Sequence, residues 1–182
     1  MNYAAIKTHD ISNGPGVRVS LFVSGCTHHC KGCFNSETWD FAYGEPFTEE
    51  VEKRVLKALE PEYIGGLSLL GGEPFEIENQ RTVLSFLEKV RERYPNKNIW
   101  CYSGYRLDED LLGQTPVHTR EAEEILRRID VLVDGEFVEE QKDLRNIRFR
   151  GSANQRIIDV PSSLEAGEVR LWEDRYEREK RS

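Results

Sequence analysis

An α/β domain built on a largely parallel sheet is the fold class this sequence predicts, on three observations. Short apolar runs of strand composition alternate with segments of helical period along most of the chain. The first four runs each stop at or beside a glycine: Gly25, Gly71, Gly104 and Gly135. The 182 residues, 38% hydrophobic and 10% aromatic, suit one domain that buries roughly 70% of its unfolded surface.

Val17–Ser24 (VRVSLFVS) is rich in β-branched and aromatic residues without a helical period and reads as a buried strand. The cysteine loop Cys26–Asn35 follows at once. Thr48 caps a helix with Glu49 and Glu50 in its first turn and Val51, Val55 and Leu59 on one face. Leu67–Leu70 is a second strand, closed by Gly71-Gly72. The next helix runs over about Asn79–Tyr94, with Val83, Leu87, Val90 and Tyr94 aligned and Pro95 as its stop. Asn98–Tyr102 forms a third strand. A weaker helical region precedes a clearer helix over Arg120–Ile129, with Ile125, Leu126 and Ile129 inward. Asp130–Val133 is a fourth strand, Glu136–Gly151 a polar connection, and Arg156–Val160 a last strand before Pro161. Residues 1–161 read as the domain and 162–182 as a charged C-terminal tail, either a peripheral helix or a frayed end.

In a parallel sheet the chemistry gathers beyond the carboxyl ends of the strands. Those ends carry, in order, the cysteine loop, Gly71-Gly72-Glu73-Pro74, Ser103-Gly104-Tyr105 and Asp134-Gly135. The unusual residues of the chain therefore fall on one rim, which is the candidate site.

Composition excludes several classes. Lys and Arg number 25 against 33 Asp and Glu, a formal charge of -8, so no global attraction to nucleic acid or anionic lipid is expected. No apolar run approaches the roughly 18 residues of a membrane span, and Met1–Asp10 lacks the apolar core of a signal peptide. A cytoplasmic protein is expected. Of four cysteines, three lie within eight residues, which points to metal ligation or redox chemistry rather than a disulfide scaffold.

Cys26, Cys30 and Cys33 have the spacing C-x3-C-x2-C. Three thiolates on one loop can hold an iron–sulfur cubane and leave its fourth iron without a protein ligand. Structural zinc usually takes four ligands, so Cys101, His28 or His29 would have to complete that alternative. Cys101 sits in the apolar run Ile99-Trp100-Cys101-Tyr102, where an inert buried thiol is commoner. Gly71-Gly72-Glu73-Pro74 reads as a tight turn, or as a backbone that approaches a ligand, with Glu73 able to accept from an ammonium group.

The cysteine triplet at the end of a first strand, with GGEP about forty residues on, resembles the radical S-adenosylmethionine (SAM) superfamily. Gly32 departs from its pattern, since the residue before the third cysteine is often aromatic there; Phe34 is positioned to supply apolar contact instead. Asn13-Gly14-Pro15-Gly16-Val17-Arg18 and Trp39-Asp40-Phe41 resemble the activating enzymes of glycyl-radical proteins. Ile99–Tyr105, Asp130–Phe137 and Gly151–Arg156 sharpen the likeness to the family of anaerobic ribonucleoside-triphosphate reductase activating proteins, over about residues 3–161. At Glu136 that family commonly has Pro or Lys.

The resemblance implies a shortened, incomplete parallel βα barrel of the radical SAM type with one [4Fe–4S] cluster held by Cys26, Cys30 and Cys33. It implies SAM contacts from Gly32, Cys33, Phe34, Gly71, Gly72 and Glu73, with Ser103 and Asp134 as further candidates near its ribose or carboxylate. The implied reaction is reductive cleavage of SAM to methionine and a 5′-deoxyadenosyl radical, which takes hydrogen from a glycine in the C-terminal loop of the reductase. A low-potential donor such as flavodoxin or ferredoxin is implied as well. Asn154-Gln155-Arg156 read equally as family motif or as ordinary capping residues. The alternatives are an activator of another glycyl-radical enzyme such as pyruvate formate-lyase, a small-molecule radical SAM enzyme, and a zinc-binding interaction module.

Overall fold

A computed structural model describes residues 1–143 and 147–173. The strands are β1 (Asn2–Asp10), β2 (Val17–Val23), β3 (Glu45–Pro46), β4 (Ile64–Gly71), β5 (Asn98–Ser103), β6 (Val131–Asp134) and β7 (Arg156–Asp159). The helices are α1 (Glu49–Leu59), α2 (Ile77–Arg93), α3 (Arg120–Leu126) and α4 (Val160–Ala166), with a single π turn at Leu107–Leu111. Thr48 caps α1 and Thr119 caps α3, each accepting from an N–H of the first turn.

Among the described residues the strands form one seven-stranded sheet in the order β3-β1-β2-β4-β5-β6-β7. Only β2, β4, β5 and β6 are mutually parallel; β1 runs antiparallel to β2 and to β3, and β7 antiparallel to β6. The sheet is thus mixed and does not close, which corrects the expectation of a largely parallel one. The physical reason lies in the connections. Parallel neighbours need a crossover, which α1, α2 and α3 supply, whereas β1 reaches β2 through residues 11–16 and, among the described residues, no α-helix separates β6 from β7. Strand β1 carries no alternation strong enough to announce it.

The pleat divides the sheet's residues between two faces. Val19, Leu21, Val23, Leu67, Leu69, Ile99, Cys101, Leu132 and Ile158 pack in one core with Val55 and Leu59 of α1, Val83, Phe86, Leu87 and Val90 of α2, and Ile125 and Leu126 of α3. The alternate residues face away from those helices. Trp100, Val131 and Val133 gather there with Phe149, Ile157 and Trp172, and the Trp100 and Trp172 rings meet edge-on at 5.0 Å. Trp172 reaches this position because residues 170–172 lie along β7, with Trp172 N–H donating to Ile157 O at 2.9 Å. The remainder of the charged tail, residues 174–182, lies outside the described residues.

The turn before β2 is built around Arg18, which is 1% exposed. Its guanidinium donates to Ser68 Oγ (2.8 Å), Leu67 O (2.7 Å), Asn98 O (3.1 Å) and Pro15 O (3.3 Å). It thereby ties β2, β4 and β5 together at their amino ends. Gly14, at φ +122°, leaves the space; a Cβ there would stand 2.8 Å from Arg18 Nε. Burial lowers the guanidinium pKa to about 10, so the group stays charged at neutral pH. Arg18→Met would strand these acceptors in the interior, and should lower the unfolding free energy by roughly 3 kcal/mol in urea titrations. A loss under about 0.5 kcal/mol would show that Arg18 is not what joins the three strands.

Candidate functional site

The carboxyl ends of β2, β4, β5 and β6 meet at one rim, as the parallel register requires. The cysteine loop leaves β2 there and is laced to its neighbours by main-chain bonds. Gly25 N–H donates to Thr38 O (2.8 Å), Cys26 N–H to Trp39 O (3.1 Å) and Glu73 N–H to Gly25 O (2.8 Å). Gly72 must remain glycine for the same reason: a Cβ there would lie 2.6 Å from Gly25 O and 2.9 Å from Thr38 O. A larger residue would displace the cysteine loop itself, before any question of ligand contact arises.

Two buried carboxylates in the turn from β4 to α2 organise the rim. Glu73 Oε1 accepts from Ser103 Oγ and Phe75 N–H, both at 2.9 Å, and Oε2 from Gly104 N–H at 2.7 Å. Glu76 Oε1 accepts from both the N–H and the hydroxyl of Thr27 at 2.7 Å, holding the loop between the first two cysteines. Asn79 Nδ2 bridges Ser24 O and Glu73 O. His28 closes the arrangement. Its Nε2 is 3.4 Å from Glu73 Oε2, an ion pair longer than a good hydrogen bond, and its Nδ1 is 2.9 Å from Glu136 Oε1 on the β6–β7 connection.

A cavity of about 660 Å³ extends from this rim along the sheet face turned away from α1, α2 and α3. Cys26, Cys30, Cys33, Phe34, Gly71, Gly72, Glu73 and Ser103 all line it, so the structure brings together eight of the residues singled out in the sequence. Gly32 and Asp134 lie elsewhere. Gly32, at φ +71°, makes the turn in which Cys33 N–H donates to Cys30 O at 3.1 Å, and a Cβ on it would meet Glu139. Asp134 Oδ1 and Oδ2 are taken up by Arg156 Nε (2.8 Å) and Nη2 (2.5 Å), with Leu107 N–H on Oδ2 (2.8 Å). Asn154 and Gln155 fasten the last loop to the β6 end, donating to Glu136 O and Gly135 O. Trp39 stacks on His29 with ring centroids 4.7 Å apart, and Phe41 packs over Gly25, so the WDF segment anchors the cysteine loop.

Comparison with known proteins decides the family. Residues 12–158 match the family described as a 4Fe-4S single cluster domain. A Haemophilus influenzae anaerobic ribonucleoside-triphosphate reductase-activating protein is 42% identical over 159 residues, covering 86% of this chain and 97% of the relative. The Vibrio cholerae protein of that name is 43% identical over the same shares of both chains, and that of Enterobacteria phage T4 is 39% identical over 158 residues, covering 86% of this chain and 93% of the relative. The chain belongs to the family of anaerobic ribonucleoside-triphosphate reductase-activating proteins.

The cavity of this family member fits an iron–sulfur cluster by the chemistry of its donors. Three thiols from one short loop line it, while Cys101 is fully buried among the residues that face the helices. Cys33 Sγ accepts from Asn35 N–H at 3.4 Å, and the N–H groups of His28 and His29 are directed at Cys26 and that of Phe137 at Cys30. Burial, then the charge of Glu73, pushes the Cys26 thiol up to about 12 despite those N–H groups. A metal centre must displace that proton to bind. Among the described residues no three His, Cys, Asp or Glu side chains converge on one point as a single ion requires. Thiolates on separate irons of a cubane need no such convergence.

Sequence reasoning missed Glu76, whose partner Thr27 is 49 residues away, and it named His28 only as a possible zinc ligand, without its pairing to Glu73 and Glu136, 45 and 108 residues away. His28 carries a pH dependence. Burial alone would lower its pKa, but Glu73 and then Glu136 raise it from 6.5 to about 9. Its contribution to stability is complete below the unfolded value and is lost as pH rises through about 9. In metal-free protein the stability gap between wild type and His28→Gln should therefore be widest near pH 6 and vanish by about pH 10. A gap independent of pH in urea titrations would contradict the charged pairing.

Proposed function

We propose that this protein is a radical SAM oxidoreductase that activates anaerobic ribonucleoside-triphosphate reductase by generating a glycyl radical on it. The observation that carries the reading is one cavity lined by all three loop cysteines, the Gly71-Gly72-Glu73 turn and Phe34. On this reading the sheet face turned away from the helices is the inner face of an incomplete βα barrel. The names of the relatives supply the target.

Cys26, Cys30 and Cys33 would hold a [4Fe–4S] cluster, which would supply the low-potential electron for reductive cleavage of SAM to methionine and a 5′-deoxyadenosyl radical. The rest falls to the chain. Gly71 and Gly72 line the cavity with main chain, which offers its polar groups to the methionine part of SAM, while their missing side chains let that main chain sit against β2 and the cysteine loop. Among the described residues Glu73 is the one carboxylate lining the cavity, and it suits the ammonium group of SAM. Its firm donors are Ser103, Phe75 and Gly104, so His28, at 3.4 Å, is the partner a ligand cation would replace. Ser103 then acts by aiming Glu73 rather than by touching the nucleoside. Phe34, set against Phe137 with centroids 5.0 Å apart, offers an aromatic wall for adenine. No side-chain base is needed, since a radical removes the hydrogen atom itself. The electron comes from a flavodoxin- or ferredoxin-type donor in the cytoplasm. A zinc module fits less well, since Cys101 faces the helices, His29 is stacked on Trp39 and the two ring nitrogens of His28 face Glu73 and Glu136.

The test combines the reconstituted protein, SAM, a low-potential reductant and the anaerobic reductase in electron paramagnetic resonance. A doublet split by one glycine α-hydrogen is expected, and α-deuterated glycine in the reductase should collapse it and deliver deuterium to 5′-deoxyadenosine. Cys26→Ala, Cys30→Ala and Cys33→Ala should each lose iron and signal, while Cys101→Ala retains both. Radical formation without deuterium transfer would refute direct abstraction, and turnover of a small molecule with no radical on the reductase would replace the proposed substrate.

A further inference from the structure

Buried side-chain polar atoms normally have partners, and each exception calls for a reason. His28 Nε2 is such an exception: it is buried without a hydrogen-bond partner, 3.4 Å from Glu73 Oε2. That oxygen has room for a further donor. Oε2 accepts one N–H, from Gly104 at 2.7 Å, and a carboxylate oxygen can accept two. The imidazole thus stands beside an acceptor site that it does not fill. Its firm contact lies on the other side, where Nδ1 is 2.9 Å from Glu136 Oε1.

The surroundings of the ring give it somewhere to go. His28 lines the cysteine cavity and also a second hollow of about 460 Å³, whose walls include Gly104, Tyr105, Glu136 and Asn154. The imidazole is therefore part of the partition between the two. Gly104 leaves the space it occupies, since a Cβ there would lie 2.6 Å from His28 Nε2. Tyr105 meets the ring edge-on, with centroids 4.3 Å apart. Glu136 reaches it from the solvent side, with its own side chain 58% exposed. Asn154 Nδ2 donates to Glu136 O at 2.8 Å and so ties down the main chain that carries this carboxylate.

We propose that His28 is a displaceable plug on Glu73, which a ligand ammonium group pushes toward the second hollow, and that Glu136 is the positioning residue that holds the displaced ring. The proposal rests on the radical SAM reading and adds to it a residue that sets SAM affinity without touching SAM. Before SAM arrives, the imidazole is shared between two carboxylates. Once the ammonium group has taken the open place on Glu73 Oε2, Glu136 is the carboxylate still in contact with the ring. A polar ring in a largely buried position is costly without a partner. Removing Glu136 therefore costs more with SAM bound than without it, and the difference appears as weaker SAM binding.

The test titrates SAM into cluster-loaded protein and follows the change in the reduced cluster's paramagnetic resonance spectrum. Glu136 is largely exposed, so Glu136→Ala should fold; it should raise the SAM concentration needed for half the change about fivefold. His28→Ala should bind SAM at least as tightly as wild type, and in that background Glu136→Ala should change nothing further. A second measurement needs no cluster. In metal-free protein under urea, Glu136→Ala should lower the folding equilibrium constant about threefold when His28 is present and leave it unchanged in the His28→Ala background. An unchanged SAM titration in Glu136→Ala overturns the proposal. So does a loss that persists in the His28→Ala background, weaker SAM binding in His28→Ala with its iron retained, or additive effects in urea. If wild type holds its cluster and gives no response to SAM at all, the radical SAM reading is what has failed.

Discussion

The joint on which this architecture depends is the buried carboxylate of Glu73, 1% exposed at the end of β4. It receives a hydroxyl and a main-chain N–H from the end of β5, an N–H from its own turn, and the imidazole of the cysteine loop. An ionised carboxylate is tolerated at such depth only when donors surround it. The strand ends and the cysteine loop are thus held in register by a group that must also face the cavity. Glu76 and Asn79, one helical turn further on, extend the same solution to Thr27 and Ser24. The cysteine loop has little regular structure of its own, and its shape is borrowed from the amino end of α2.

A second consequence comes from the one-sidedness of the helices. Because α1, α2 and α3 cover a single face, the alternate side chains of β2, β4 and β5 cannot all be buried by secondary structure. At β5 and β6 the shortfall is met by Trp100, Phe149 and Trp172. Beside them it becomes the cavity, where Phe22, Leu70 and Tyr102 stand as walls. Core and cavity are two treatments of the same uncovered face. The last loop and residues 170–172 mark the boundary between them.

Much of this was legible in the sequence, and what was not has identifiable causes. The central strands and α1–α3 follow from composition and period, and the gathering of the cysteine loop, GGE turn and Ser103 follows from strand direction alone. Strand β1 was not legible, because its pairing with β2 and the two-residue β3, rather than any pattern of its own, makes it a strand. The antiparallel β6–β7 pair is implicit in a connection without helical period, but residue pattern alone does not orient it. Asp134 shares the rim with the other candidates, yet Arg156 takes its carboxylate, a contact fixed only once β7 pairs with β6. The His28–Glu136 pair spans 108 residues and had no local signal. Motifs reveal what a residue type can do, and tertiary partners decide whether it is free to do it.

The central claim is that three thiolates from one loop hold a cluster whose fourth iron is left for SAM beside Glu73. Mössbauer spectroscopy of protein reconstituted with 57Fe tests this most directly, with and without SAM. The account predicts that SAM alters the isomer shift of one iron in four and leaves three unchanged, and that Glu73→Gln requires more SAM for the same change. Four irons that remain indistinguishable at saturating SAM would contradict it.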